Sequence, residues 1–447
     1  MNKLKLSSIV ECIVDNRGKT PPLSNEGIPL IEAQTITSCN LYIDTDESNK
    51  FVDYVTYNTW FRSGHPVKND LIVTLVGGLG DIGLMNDGKA CIAQNIVAIR
   101  LKKDVNPIFV SYLLKTPSYQ KAIKALNRSS VQPSINISDF LDIEIQLPPI
   151  EIQNKIADIL STIDIKIKEN MNIDKTLRKI EDLIFKFWFM QFEFPEKYKK
   201  LYKTDGGKFK WCNELGINIP EKWNVSKVGE YVSIERGISY SNKNLDNEGI
   251  PMVNLNSFNP DSSYKVNGLK RFIGKYNKEK VVKSYDLLMC VTQQTAIDLI
   301  KNTDVIGKTF LMPDIYDGDI IISMDVVNIK TNCKLSKYYI NSLFRQEYFH
   351  KYITGFANGT KIKHLDINGV LEFPCIIPTE DILKKYDEIA IECEEKRSNL
   401  IRENIELNKL REYLMPMLIN SQVKFKELSD VIKIKNISSN VKEKVKS

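Results

Sequence analysis

Gly27-Ile28-Pro29-Leu30-Ile31, near the start of the chain, is answered half a chain later by Gly249-Ile250-Pro251-Met252-Val253. Each is one of a series of matched apolar runs, of which the later ones read as short buried strands. Each copy follows a Gly-bearing turn, Arg17-Gly18-Lys19-Thr20-Pro21-Pro22 in the first and Arg236-Gly237-Ile238-Ser239-Tyr240 in the second. Further on, Asn69-Asp70-Leu71-Ile72-Val73 matches Tyr285-Asp286-Leu287-Leu288-Met289, and Asn95-Ile96-Val97-Ala98-Ile99 matches Met324-Asp325-Val326-Val327-Asn328-Ile329. Tyr112-Leu113-Leu114 and Tyr339-Ile340-Asn341 then open helix-length segments ending in polar loops, Asn127 to Ser134 and Asn358 to His364, and each copy closes on a strand and a proline, Pro148 or Pro378. One unit has been built twice, with a period of about half the chain.

After each proline the hydrophobic period changes from two to a heptad. Ile156, Ile159, Ile163, Ile173, Leu177, Ile180 and Ile184 form one stripe, and Tyr386, Ile389, Cys393, Leu400, Leu407, Leu410 and Leu414 the other. Lys166, Asn170, Lys396 and Glu403 interrupt the seams, as register-pinning polar residues do. Each helical segment should be about 55 Å long. The expected fold class is α+β: two mixed α/β units in pseudo-twofold duplication, separated by two long antiparallel coiled-coil helices. The expected partition is 1–149, a first helix over 150–192, a second unit over 193–378 that begins with a linker over 193–222, a second helix over 379–418 and a basic tail over 419–447. Paired rods carrying duplicated heads match two half-sites on a duplex.

Composition sets outer bounds. The 447 residues hold 62 Lys and Arg against 56 Asp and Glu, a formal charge of +6, which is compatible with a polyanionic partner without requiring one. The eight cysteines are scattered, with no C-x-x-C pair and three histidines to assist them, so neither a zinc site nor a disulfide scaffold is expected. Met1 to Val10 lacks the apolar stretch of a signal peptide, and the run near Ile184 to Met190 is too short to span a bilayer, so a cytoplasmic protein is expected.

The chain resembles the specificity subunits of type I restriction and modification systems over nearly its whole length. The resemblance is carried by Arg17-Gly18-Lys19-Thr20-Pro21, Asp70-Leu71-Ile72-Val73, Ser129-Ser130-Val131-Gln132-Pro133-Ser134-Ile135-Asn136 and Leu147-Pro148-Pro149-Ile150-Glu151-Ile152-Gln153. Leu183-Ile184-Phe185-Lys186-Phe187-Trp188-Phe189-Met190-Gln191-Phe192-Glu193-Phe194 is similar to the aromatic end of the family's central helix, and Tyr413-Leu414-Met415-Pro416-Met417-Leu418 to its C-terminal ending. In copy two the expected Pro-Pro-x-x-x-Gln is replaced by Ile377-Pro378-Thr379-Glu380-Asp381-Ile382-Leu383, where Thr379 can still cap the helix. The resemblance implies two target-recognition domains that each read half of a split target in double-stranded DNA, with the paired helices fixing their separation. It also implies docking of two methylation subunits, which hold S-adenosylmethionine and modify adenine, and of two translocating nuclease subunits. No cofactor and no metal is expected in this chain, and no membrane partner.

Direct tests for catalysis agree. Gly77-Gly78-Leu79-Gly80 is not followed by Gly-Lys-Ser/Thr, and Gly18-Lys19-Thr20 runs into Pro21-Pro22, which forbids the helix a phosphate loop needs. Neither Pro21-Pro22 nor Pro148-Pro149 precedes an aromatic residue, as a base-flipping methyltransferase loop requires. No catalytic residues are expected. Base edges are read by Arg, Lys, Asn, Gln, Ser and Thr, and phosphates are held by cations. In copy one the candidates are Arg17, Lys19, Thr20, Thr74, Gln94, Arg128, Ser129, Ser130 and Gln132. In copy two they are Arg236, Ser239, Tyr240, Lys243, Gln293, Gln294, Thr295, Thr360, Lys361, Lys363 and His364. Because the sets differ, an asymmetric target is expected, with half-site centres about one to one and a half turns apart. Phe185, Trp188, Phe189 and Phe192 are candidates for partner docking, with core packing the competing role. A non-catalytic coiled-coil scaffold that binds protein is the alternative.

Overall fold

The computed structural model describes residues 3–18, 20–37, 41–129, 132–196, 200–294, 304–332, 334–359 and 362–420. The chain divides into two compact units, Met1–Glu169 with Ile405–Ser447, and Asn170–Asn404.

In unit 1 a four-stranded antiparallel sheet runs in the order Val10–Val14, Ile96–Leu101, Leu71–Thr74, Ile82–Leu84. Beside it, Ile28–Ile31 pairs antiparallel with Phe51–Val52 and parallel with Cys91–Ile92. Leu71–Thr74 is buried at every residue, the pattern of a strand covered on both faces. The helices Pro107–Lys115 and Pro117–Ala125 follow, each opened by a proline that fits the first helical turn. Glu144–Gln146 then pairs with Lys3–Lys5 before the first long helix, Ile150–Phe185.

Unit 2 repeats this order of elements. Its four-stranded sheet runs Val232–Arg236, Val326–Thr331, Leu287–Cys290, Thr309–Leu311, and Leu245–Val253 pairs antiparallel with Lys270–Phe272 and parallel with Ile321–Ile322. The helices Lys337–Phe344 and Glu347–Thr354 and the pair Asn224–Lys227 with Pro374–Ile377 precede the second long helix, Glu380–Ile419. The duplication reaches single hydrogen bonds. Asn69 and Tyr285 both adopt positive φ, 70° and 64°, and each following aspartate accepts a backbone N–H from three residues earlier, Asp70 from Val67 and Asp286 from Lys283. Gly80 and Gly307 are a matching pair at φ 77° and 74°, where a Cβ would strike Ile123 in one unit and Ile353 in the other.

The helices depart from the expected stripes in one half. Ile156 and Ile163 are buried and Ile159 half-buried, but Ile173 and Ile180 are 40% and 42% exposed. The same turns instead bury Asn170, Arg178 and Glu181, because their neighbours in unit 2 offer hydrogen-bonding and charged partners rather than apolar ones. In the second helix Tyr386, Cys393, Leu400 and Leu414 are buried, whereas Lys396 is exposed and Glu394, Arg397 and Ser398 take the polar seam positions. Within unit 2 the helices run antiparallel, Asn170 meeting Glu403, Asp174 meeting Arg397 and Phe185 meeting Tyr386. The first helix ends in a π turn, Lys186–Met190. The stretch expected as a linker is folded: Phe209–Cys212 and Ile217–Pro220 form a hairpin, and Phe194 stacks on Trp223 at 4.7 Å and on Tyr202 at 4.5 Å. The tail beyond residue 420 lies outside the described residues.

Candidate nucleic-acid interface

Strand register gathers the candidate loops of each unit at one edge of its four-stranded sheet. In unit 1 Val14 lies opposite Ala98 and Thr74 opposite Ile96, so the end of the first strand, the end of the third and the turn before Ile96 share an edge. The segments around Arg17, Thr74 and Gln94 therefore leave the sheet together. The later loop joins them: Gly77 N–H donates to Pro133 O at 3.0 Å and Ile135 N–H to Leu75 O at 2.9 Å. Unit 2 repeats the construction, with Arg236 opposite Val327 and Cys290 opposite Val326. There the late segment becomes a strand, Ile362–Leu365, that pairs with Thr292–Gln294 and with Ala357–Asn358. Leu365 N–H donates to Val291 O at 2.9 Å, the counterpart of the Ile135 bond.

The side chains at these edges differ in availability. Thr20, Gln94 and Gln132 are exposed, as are Arg236, Ser239, Lys243 and His364 in unit 2. Arg17 is exposed but its guanidinium is tied to Asp15 at 2.6 Å, which holds that carboxyl below its ordinary range and leaves the cation with part of its donor set. Arg128 pairs with Asp139 at 2.6 Å and remains 61% exposed at its side chain. Ser129, Tyr240 and Lys363 are half-buried. The Tyr240 hydroxyl accepts a hydrogen bond from Lys270 Nζ at 2.6 Å, with the ammonium 4.9 Å from the ring centroid. His364 Nδ1 lies 3.3 Å from Thr292 Oγ1.

Two assignments are corrected. Thr74 ends its strand at that edge but is fully buried, with its hydroxyl unpaired, so its side chain is not offered to a ligand. Gln293 is occupied structurally, its Oε1 accepting the N–H groups of Val305 at 3.1 Å and Ile306 at 3.3 Å. Gln294 lies on the paired strand. Lys19, Ser130, Thr295, Thr360 and Lys361 lie outside the described residues. Three cations that the sequence did not single out border the edges. Lys270 lies against Tyr240, and Lys280 Nζ donates to Arg236 O at 3.2 Å. Arg62 is exposed next to Ser63, whose N–H donates to Asn16 Oδ1 at 2.9 Å. Strand pairing brings in Lys270, and the contacts of Lys280 and Ser63 reach residues more than 40 positions away, so no local motif announces these cations. Among the described residues no three His, Cys, Asp or Glu side chains form a metal-binding group, and no helix is long and apolar enough to cross a membrane.

Residues 2–179 match the family described as type I restriction modification DNA specificity domain. Beyond that match, the chain is similar to type I restriction enzyme specificity subunits. It is similar to the type I restriction enzyme MjaIX specificity subunit of Methanocaldococcus jannaschii, 26% identical over 72% of this chain and 70% of that protein. It is likewise similar to the HindI specificity subunit of Haemophilus influenzae, 22% identical over 71% of this chain and 78% of that one. The solved S subunit of a type I system from M. genitalium shares the fold, with a TM-score of 0.52 over 93% of this chain and 95% of its own, at 15% identity.

In this chain the aromatic residues expected at a docking surface turn inward. Phe185, Trp188, Phe189 and Phe192 are 1%, 9%, 2% and 7% exposed, packed edge-to-face around Tyr339, Tyr386 and Trp223. Trp188 and Phe189 lie on the π turn and are buried in the core of unit 2 with Phe185 and Phe192 on either side of it, while other positions of the same helix present apolar groups to solvent. Ile173, Ile180, Leu183, Phe187 and Met190 are spaced by seven, three, four and three residues and lie between 38% and 65% exposed.

Proposed function

We propose that this chain is the specificity subunit of a type I restriction-modification system and reads an asymmetric, bipartite target in double-stranded DNA, each unit reading one half through its sheet edge. The observation that carries the reading is the convergence, in both units, of loops from separate parts of the sequence onto the same sheet edge, with different polar side chains in each. A β-ribbon such as Thr292–Gln294 with Ile362–Leu365 suits a major groove, and exposed Gln94, Gln132 and His364 offer the donors and acceptors that distinguish bases. Arg17, Arg62, Arg128, Arg236, Lys243 and Lys270 are cations for phosphates. The chain itself performs no chemistry in this reading of its function. S-adenosylmethionine belongs to the methylation subunits, two of which dock on the exposed stripe from Ile173 to Met190, and two translocating nuclease subunits complete the assembly in the cytoplasm.

The test is to exchange residues 1–149 or 223–378 with those of another specificity subunit and to map methylated adenines across a genome by single-molecule sequencing. Each exchange is expected to change one half of the target and leave the other intact. A change in both halves from one exchange would sink the proposal, as would DNA affinity that does not fall steeply with salt.

A further inference from the structure

The junction where a long helix leaves the globular fold is built twice and has diverged. In unit 1 it is sealed by amides. Asn106, the cap of helix Pro107–Lys115, donates its N–H to Gln153 Oε1 at 3.0 Å and its Nδ2 to Asn154 Oδ1 at 2.8 Å, while Gln153 Nε2 donates to Pro148 O at 2.8 Å. The backbone of unit 2 is the same: Ile382 and Leu383 N–H groups donate to Thr379 O as those of Ile152 and Gln153 donate to Pro149 O. That match places Leu383 where unit 1 has Gln153 and Lys384 where it has Asn154. Ser336 is the cap in place of Asn106, and Lys337 stands in place of Pro107.

With the bridging amides gone, unit 2 holds a cavity of about 910 Å³ at this junction, lined by Lys278, Lys283, Lys330, Lys334, Lys337 and Lys384. Lys330 is paired with Glu235 at 2.8 Å, Lys384 with Glu380 at 2.7 Å, and Lys278 lies 3.9 Å from Asp319. Among the described residues Lys283, Lys334 and Lys337 have no ion pair. The lining carboxylates are largely satisfied, Asp286 by Lys283 N–H and Asn328 Nδ2, and Asp319 by the Tyr276 hydroxyl. Asp387 keeps a buried oxygen without a donor, and burial raises its carboxyl above the ordinary range, which weakens its opposition to an anion. Lys337 is the least comfortable group. It is half-buried, burial lowers its ammonium below the usual value, and it occupies the first position of helix Lys337–Phe344, where the backbone amides disfavour a cation.

We propose that this cavity binds a phosphoryl oxyanion, with Lys283, Lys334 and Lys337 as its cationic ligands. Several ammonium groups around one cavity suit an anion with several charged oxygens better than a single carboxylate. The cavity touches Leu287 and Ile329 to Thr331, the opposite ends of the two strands whose other ends form the candidate base-reading edge. A free phosphoryl compound is therefore the favoured source over a backbone phosphate of bound duplex, and the site stands whether or not the reading of the DNA edge holds.

The experiment titrates the full chain with pyrophosphate at constant ionic strength, followed by calorimetry and phosphorus NMR. Saturable binding is expected, weakened about tenfold in K337M. It should be abolished in the double variant Leu383→Gln, Lys384→Asn, which restores the seal of unit 1. K283A and K334A, at exposed positions, serve if either variant fails to fold, and each should weaken binding. Absence of saturable binding overturns the site, as does equal binding by K337M, K283A and K334A. Unchanged duplex affinity in K337M assigns the anion to a free compound. A matching loss assigns it to a duplex phosphate, and either result retains the phosphoryl site.

Discussion

In unit 1 the first long helix buries Ile156, Leu160, Ile163 and Ile167 in one apolar cluster with Leu414, Leu418 and Ile419 of the second. In unit 2 the same helix buries Asn170, Arg178 and Glu181. Glu181 accepts from Ser342 Oγ at 3.0 Å and Arg345 Nη1 at 2.8 Å, and the Tyr386 hydroxyl donates to Ser342 at 2.7 Å. Arg397 bonds Asp174 at 2.9 Å and also Glu394. Burial alone would raise the Glu181 carboxyl, but Arg345 and Arg397 hold it below its ordinary range, while Glu394, buried with weaker compensation, is raised. The contrast separates two ways of fixing a helix pair. An apolar seam gains from area and tolerates sliding by a turn, whereas a buried ionic seam gains little net energy but accepts one register.

The largest effect expected on this comparison is from Glu181→Ala, which leaves Arg345 buried without its main partner. It should cost about 3–5 kcal/mol in chemical denaturation, and a loss below 1 kcal/mol would show that water reaches the network. Leu160→Ala in the apolar seam should cost about 3 kcal/mol through a cavity, with faster amide exchange in the helix segments of unit 1.

Acid should next distinguish the units. Burial lowers the His350 imidazole to about 4, so the folded state favours the neutral ring. A group with a depressed folded pKa contributes stability that is complete above its unfolded value near 6.5 and is lost as pH falls toward about 4. Exchange in unit 2 should rise across that window by the equivalent of about 2–3 kcal/mol, and His350→Gln should flatten the rise. Gln120, which like His350 lies beside the positive-φ glycine of its unit, cannot titrate, so unit 1 has no such step at the matching position, although burial also lowers the imidazole of His65 elsewhere in that unit. The smallest effect belongs to Asn170→Leu, which removes the bonds to Glu403 and Asn404 at 2.8 and 2.9 Å. Stability should move by less than about 1 kcal/mol, while crosslinks between cysteines placed along the helices should report more than one register.

The duplication, the buried strands and the two long helices were legible in the chain because they rest on local periodicity and on repeated order, both of which survive without coordinates. Loop positions were legible for the same reason: Arg17 and Arg128 sit in turns marked by Gly, Pro and Ser, and Arg236 ends its strand just before one. Facing was less legible. Ile173 and Ile180 fit a heptad and yet point outward, since which stripe of a helix is buried depends on what packs against it. Trp188 and Phe189 lie on the π turn that ends the first helix and face inward.

By itself, then, the order of residues determined the unit, its repetition and the segments that must be strands, helices or turns, because backbone propensity and hydrophobic period act over a few residues. Only the tertiary structure decided that Thr74 and Gln293 are occupied within the fold, that Lys270 and Lys280 stand beside Tyr240 and Arg236, and that one junction is sealed while its copy opens onto lysines. Those outcomes depend on hydrogen bonds and ion pairs between residues far apart in the chain, whose energies are set by burial and distance rather than by neighbours in sequence.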